Sequence, residues 1–209
     1  MLTNLHLNIF RTISAKELRI NYILIVIFSA LALLAAFELS VDKIRTLESP
    51  GVQLNCNINS VLNCASVMKS PQAELLGFPN SFIGMMGFAV LLFFGLSGLM
   101  EVRYNKAVLR LLLAGGLAAL IFAFWLFFES LYVIQILCPW CLLTTTSTTI
   151  AFGALLHISL RENVLNLSKH TNKKVQKWVD GGYTELVFAS ILVVGVILVV
   201  AKFGDSLLG

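Results

Sequence analysis

Leu137-Cys138-Pro139-Trp140-Cys141-Leu142 places a Cys-x-x-Cys at the head of an apolar run that continues to Leu156. Two thiols at that spacing fall on one turn of helix, near enough to close a disulfide or to clamp a soft metal. The pair stands where a hydrophobic span meets water. The rest of the chain agrees with a membrane setting. Of 209 residues, 58% are apolar and 12% charged, against roughly a quarter charged in a soluble domain. Mean hydropathy is +0.87. This balance excludes a soluble domain and describes an all-α integral membrane protein. The net charge of +4 does not point to nucleic acid, because the basic residues sort by loop; lipid is the expected surrounding.

Working outward from the motif, four more apolar runs appear: Tyr22–Phe37, Phe82–Met100, Leu111–Phe128 and Leu186–Ala201. Each approaches the ~20 residues that cross ~30 Å of hydrocarbon. Leu39, Val41 and Ile44 extend the first run, which argues against a cleaved leader ending near Ala36. Ser49-Pro50-Gly51 stops that helix. A short helix is expected within Val61–Met68, and Asn80 or Ser81 is expected to cap the next span. Residues 1–21 form a polar N-terminal segment, 22–160 the principal unit with a cysteine loop at 46–79, 161–183 a basic loop, and 184–209 a fifth span with a short tail.

Five spans put the termini on opposite sides of the membrane. Of the 15 Lys and Arg, only Lys43, Arg45, Lys69 and Lys202 fall on the side of the cysteine loop. Basic residues mark the cytoplasmic face. The N-terminus is therefore expected in the cytoplasm, with the loop and the Cys138 end of the fourth span on the opposite, oxidising side.

All four cysteines, Cys56, Cys64, Cys138 and Cys141, then share a compartment that permits disulfides. Static bridges, a four-thiolate zinc site and redox exchange are the three readings. Cys56 and Cys64 lie too far apart in sequence for the usual zinc spacing, and no histidine is near either pair. No metal is expected. Haem attachment needs a histidine after the motif, where Leu142 stands. A thiol at a helix N-terminus faces unpaired amides and the positive dipole end, which favours the attacking thiolate. Static bridging gives no reason for a dithiol at the membrane rim. Redox exchange is favoured.

The order Cys56-x7-Cys64, then Phe78-Pro79-Asn80-Ser81-x-x-Gly84, then Cys138-Pro-Trp-Cys141 resembles the vitamin K epoxide reductase (VKOR) family, in its bacterial form, over roughly Tyr22 to Leu160. The resemblance implies a four-helix bundle around a quinone, plus a fifth transmembrane helix. It assigns Cys141 to the quinone and Cys138 as its partner. Cys64 would exchange with Cys138, and Cys56 would take electrons from a thioredoxin-fold protein. The implied activity is disulfide formation in the manner of DsbB. A DsbA-like periplasmic protein is reoxidised, and electrons pass to ubiquinone or menaquinone from the bacterial inner membrane. Asn80 would donate a hydrogen bond to a quinone carbonyl, with Ser81, Cys141 and Thr145 beside it.

Thr145 departs from vertebrate relatives, which carry tyrosine there, and this weakens a case for vitamin K epoxide as substrate. Many bacterial relatives fuse a thioredoxin-like domain after the fifth span. Here the donor is expected to be a separate protein. A quinone reductase with quinol as its main product, or a membrane scaffold with structural disulfides, are the competing functions. Gly84 is expected to allow close helix approach. The threonine run Thr144–Thr149 reads as packing glue, Phe124, Trp125, Phe127 and Phe128 as an interfacial belt in preference to the wall of a ring-shaped ligand, and Glu129 as a solvated acid in preference to a proton-transfer group. Asp42 and Lys43 either pair or position the loop.

Overall fold

An apolar segment in hydrocarbon must satisfy its backbone N–H and C=O groups internally, and a helix does this within one segment. Each of the five apolar runs is accordingly a helix. The structure, a computed structural model, describes residues 2–49, 54, 56–58 and 61–208, and within these the side chains from 16 to 204. The runs are carried by α1 (Leu2–Glu48), α3 (Asn80–Leu99), α4 (Lys106–Phe128), α5 (Pro139–Arg161) and α7 (Tyr183–Leu208). A short α2 (Cys64–Met68) lies in the cysteine loop, and α6 (Lys169–Asp180) joins the last two long helices. Among the described residues, five helices are long and apolar enough to cross a membrane. The protein is an all-helical, multi-pass membrane protein.

Several boundaries differ from the sequence expectation. The helix expected in Val61–Met68 is shorter, because Asn63 caps it and starts it at Cys64. The stretch between the third and fourth apolar runs is itself partly helical. Glu129–Ile134 continues α4 as one wide π-helical turn, ended by Gln135 in the left-handed region at φ 55°. The basic stretch at 161–183 holds α6 rather than being loop throughout. The helix stop assigned to Pro50-Gly51 lies outside the described residues.

Helix α5 is the axis. It packs against α1, α4 and α7, while α3 packs on the other flank of α1. Of the most apolar 18 residues in each span, 56% are buried in α5 and 6% in α7, so α7 stands at the periphery. Ile25, Phe94, Leu109, Leu155 and Ile158 form the mid-bundle core. Small residues let membrane helices meet closely, but the contact falls at Gly95 rather than at Gly84. A Cβ at Gly95 would lie 2.9 Å from the Val26 side chain and 3.2 Å from its backbone nitrogen. At Gly84 a Cβ would reach Ala36 at an ordinary 3.5 Å.

The connections alternate the long helices up and down, so opposite ends collect different groups. At one end Arg161 pairs with Glu17 at 2.6 Å and Asp180 at 2.5 Å, and His157 Nδ1 meets Glu185 at 2.5 Å. These contacts tie α1, α5, α6 and α7. The other end gathers the cysteines.

Candidate active site

Apolar loop residues collapse onto the rim of the bundle. Leu54, Cys56, Cys64, Met68 and Cys138 form one buried cluster, with Leu39, Trp140 and Cys141 packed against it. Backbone hydrogen bonds fix its register. The Leu137 N–H donates to the Val61 carbonyl at 2.7 Å, and the Asn63 N–H donates to the Leu137 carbonyl at 2.9 Å. Leu62 and Leu137 thus form an isolated parallel bridge one residue before Cys138. The Asn63 side chain accepts from the Ser66 N–H at 3.0 Å, satisfying a free amide at the start of α2. At the far end of α2, Lys43 donates to the Met68 carbonyl at 2.8 Å and pairs with Glu74 at 2.8 Å. A cation on a helix C-terminal carbonyl is well placed electrostatically.

The clasp brings both thiol pairs together. Cys56 and Cys64 are disulfide-bonded, with Cα atoms 5.7 Å apart. Cys138 and Cys141 are free. The Cys138 sulfur lies 3.2 Å from the Cys64 sulfur, across 74 residues of sequence. The loop needs no swing to bring these two atoms into bonding range. Cys138 is the N-cap of α5, with Pro139 in the first turn, where proline's missing N–H is no loss. The Cys141 thiol, with the Cys141 and Trp140 backbone amides, holds the Cys138 thiol below its ordinary range. Burial and the Asp42 carboxylate oppose that shift without reversing it. Thiolate is the attacking species, so the atom nearest the disulfide is the one whose ionisation is favoured.

The loop cysteines face different ways. Cys64 is fully buried against Cys138. Cys56 borders an open hollow of about 310 Å³ with Ile58, Pro139, Trp140 and Leu143.

Asn80 and Ser81 lie at the same end but do not cap α3. Pro79 occupies the cap position, and no side chain bonds the first turn. Asn80 instead reaches back to the loop, its Nδ2 donating to the Gln72 carbonyl at 2.6 Å. Its Oδ1 is buried without a partner. The Ser81 hydroxyl accepts from Ser40 at 2.9 Å. Thr145 is half-buried one turn beyond Cys141, and its carbonyl accepts from the Thr149 hydroxyl at 2.8 Å. Thr144 and Thr148 likewise bond carbonyls one turn back, at 2.8 and 2.7 Å. These three hydroxyls serve their own helix rather than neighbouring ones.

Glu129 is not merely solvated, since it accepts from Gln72 at 3.1 Å and so continues the Asn80–Gln72 link into the end of α4. Phe124, Phe127 and Phe128 line a groove of about 540 Å³ against α7. Asp42 and Lys43 do not pair with each other. Lys43 holds α2 as described, while Asp42 faces Arg45 at 3.5 Å and the Cys56 sulfur at 3.8 Å. Of the two roles read from the sequence, Lys43 thus takes the positioning of the loop; the contact of Asp42 with Cys56 is one the sequence reading did not foresee.

The sequence profile of the vitamin K epoxide reductase family (VKOR) matches residues 23–156. No curated protein matches the chain. With more than half of the sequence covered, and both cysteine pairs inside the match, the chain belongs to the vitamin K epoxide reductase family of membrane thiol oxidoreductases, whose chemistry is tied to quinones.

Proposed function

We propose that this protein is a quinone-dependent thiol oxidoreductase that reoxidises a separate DsbA-like, thioredoxin-fold protein. It works from the inner membrane of a bacterium, with its N-terminus in the cytoplasm and its cysteines on the periplasmic face. The observation that carries this reading is the 3.2 Å separation of Cys138 and Cys64 beside a closed Cys56–Cys64 bond. A purely structural bridge gives no reason for a free, thiolate-favouring cysteine pressed against it.

The steps follow from which sulfur is reachable. Cys56, at the edge of the hollow, is attacked by the partner's thiolate, and Cys64 leaves. The partner's second thiol then releases Cys56 and closes the partner's own disulfide. Cys64 attacks Cys138 of an oxidised Cys138–Cys141 pair, freeing Cys141. Cys56 next attacks Cys64, which restores the loop disulfide and leaves Cys138 and Cys141 reduced. The arrangement of bonds in the structure corresponds to this last state. Two electrons have moved from water-soluble partner to membrane rim.

A bound quinone would supply the two-electron, two-proton acceptor, ubiquinone and menaquinone both being suited. The donor set at the rim fits such a group. Asn80 keeps one amide hydrogen beyond Gln72 and a buried oxygen without a partner, so it offers both a donor for a carbonyl and an acceptor for a hydroxyl. Ser81 and Thr145 would add hydroxyls, and Cys141 would be the thiol nearest the acceptor. A strongly oxidising partner near about −120 mV needs an acceptor of this class.

The test replaces Cys64 or Cys56 singly in membranes supplied with a reduced thioredoxin-fold protein. Cys64→Ser is expected to hold that protein on Cys56 as a mixed disulfide, seen on non-reducing gels. Unaltered membranes loaded with either quinone are expected to oxidise it. If no variant captures it and quinone-loaded membranes leave it reduced, the relay is wrong.

A further inference from the structure

The relay needs a place for the Cys56 proton. Cys56 is 5% exposed and packed among Leu54, Cys64, Met68 and Cys138. A thiolate released into such surroundings is poorly solvated, and an unpaired buried charge is expensive. Among the described residues, a polar side chain lies against its sulfur: Asp42, whose Oδ2 is 3.8 Å from Sγ. Asp42 is itself buried at 5% exposure near the end of α1. Its other oxygen is 3.5 Å from Nη1 of Arg45, a side chain 57% exposed. One carboxyl therefore spans the distance from the buried disulfide to a cation in contact with solvent.

We infer that Asp42 is the acid–base group of the loop pair, protonating Cys56 when it leaves and deprotonating it when it attacks. The inference rests on the relay proposed above. When the Cys138 thiolate attacks Cys64, the Cys138–Cys64 bond forms and the Cys64–Cys56 bond breaks. The bonding electron pair goes to Cys56, and the Asp42 carboxyl gives that sulfur its proton. In the working direction the order reverses. The Asp42 carboxylate takes the Cys56 proton, Cys56 attacks Cys64, and Cys138 departs with the electron pair. The proton on Asp42 then passes to water beside Arg45. One disulfide forms for each one broken, so no further oxidant or reductant enters. The charged or titratable groups that face Asp42 are Arg45 and Glu38 on its own helix and Cys138 from α5, besides Cys56 itself. Lys43 is turned away to Met68 and Glu74.

The step can be isolated without partner or quinone. In full-length Cys141→Ala protein, three cysteines share one disulfide and one thiol, and the disulfide moves between Cys56–Cys64 and Cys64–Cys138. A pH jump followed by rapid alkylation and mass spectrometry gives the rate at which it moves. General acid–base assistance is worth on the order of a hundredfold or more. Adding Asp42→Asn is expected to slow the exchange about 100-fold near neutral pH. The gap should close above about pH 9, where thiols ionise unaided. Asp42→Glu, which keeps an acid at this place, is expected to retain most of the rate and the shape of the profile. An unchanged rate in Asp42→Asn, a slowing equal at all pH values, or a Glu profile matching that of Asn would each overturn the role of Asp42. If the parent itself never forms Cys64–Cys138, the relay has failed, whatever residue stands at 42.

Discussion

The Cys138 sulfur stands between two others, with the Cys141 thiol on its own helix turn and the Cys64 sulfur at 3.2 Å. Its ionisation is favoured chiefly by the Cys141 thiol, and then by the two amides of the first turn. The sign follows directly. A thiol whose range is lowered forms thiolate at a lower pH than an ordinary thiol does, and loses attacking power as pH falls through that lowered range. Cys141→Ala removes the main donor. The pH midpoint for forming the Cys64–Cys138 bond is expected to move upward, toward the ordinary thiol value of about 8.5. Cys141→Ser keeps a donor and is expected to move it less. Alkylation and mass spectrometry across pH would check both. Asn80 teaches the reverse lesson. Its type and place before an apolar run suggested a helix cap, yet Pro79 takes the cap position and the Asn80 amide holds the loop at Gln72. The residue type told that a hydrogen bond would be made, not to which backbone.

Among the helices, what could be read in advance was the existence of each long one, since transfer energies add along a single segment. The π turn at Glu129–Ile134 had no such signal. It is held by contacts from elsewhere, with Leu131 packed beside Leu137 and Phe203 and the Ser130 hydroxyl on the Ile136 carbonyl at 2.5 Å. Helix α6 was hidden by its many lysines, which suit a solvated loop equally well. Close packing also escaped the sequence, because every glycine in an apolar run looks alike. Gly95 and Gly87 of α3 separate the cases. A Cβ at Gly95 meets α1 at 2.9 Å, whereas nothing lies within 4 Å of one at Gly87. Gly95→Ala is expected to destabilise the detergent-solubilised protein by about 1–3 kcal/mol through overpacking. Gly87→Ala is expected to be neutral or stabilising by up to about 1 kcal/mol through helix propensity. Thermal unfolding of the two variants side by side checks the contrast; equal shifts would refute the α1–α3 contact.

The molecule as a whole has one end closed by charge and another closed by the cysteine loop. At the closed end Arg161 joins α1 to α6 through Glu17 and Asp180. At the cysteine end Lys43 joins α1 to the loop at two points, Met68 and Glu74. Glu74 is partly exposed, so solvent screens that pair, and the buried bond to the Met68 carbonyl carries more of the effect. Lys43→Met is expected to destabilise the docked loop by about 1.5–3 kcal/mol, the range for a hydrogen bond to a charged group. Hydrogen exchange should then speed up in α2 while remaining slow in α5. Because docking holds Cys64 beside Cys138, the rate of exchange between the two pairs should fall in parallel. Unchanged α2 protection would remove Lys43 from the account of how the loop is held.

From the order of residues alone came the membrane setting, the long helices, the helix-end position of Cys138 and the candidate set of four cysteines with Asn80, Ser81 and Thr145. The setting, the helices and the place of Cys138 follow from local composition and spacing, since hydrophobic transfer and helix-end electrostatics act within one segment; Asn80, Ser81 and Thr145 entered the candidate set only through the family resemblance. The pairing of sulfurs came from elsewhere. Cys64 reaches Cys138 because Leu62 and Leu137 share a backbone bridge, Asn63 starts α2 at the right residue, and Lys43 pins its other end. Asp42 reaches Cys56 for the same reason. Such contacts join residues more than 70 positions apart, and they come into being only when α1, α2 and α5 are packed together, because no local preference encodes a distance between segments.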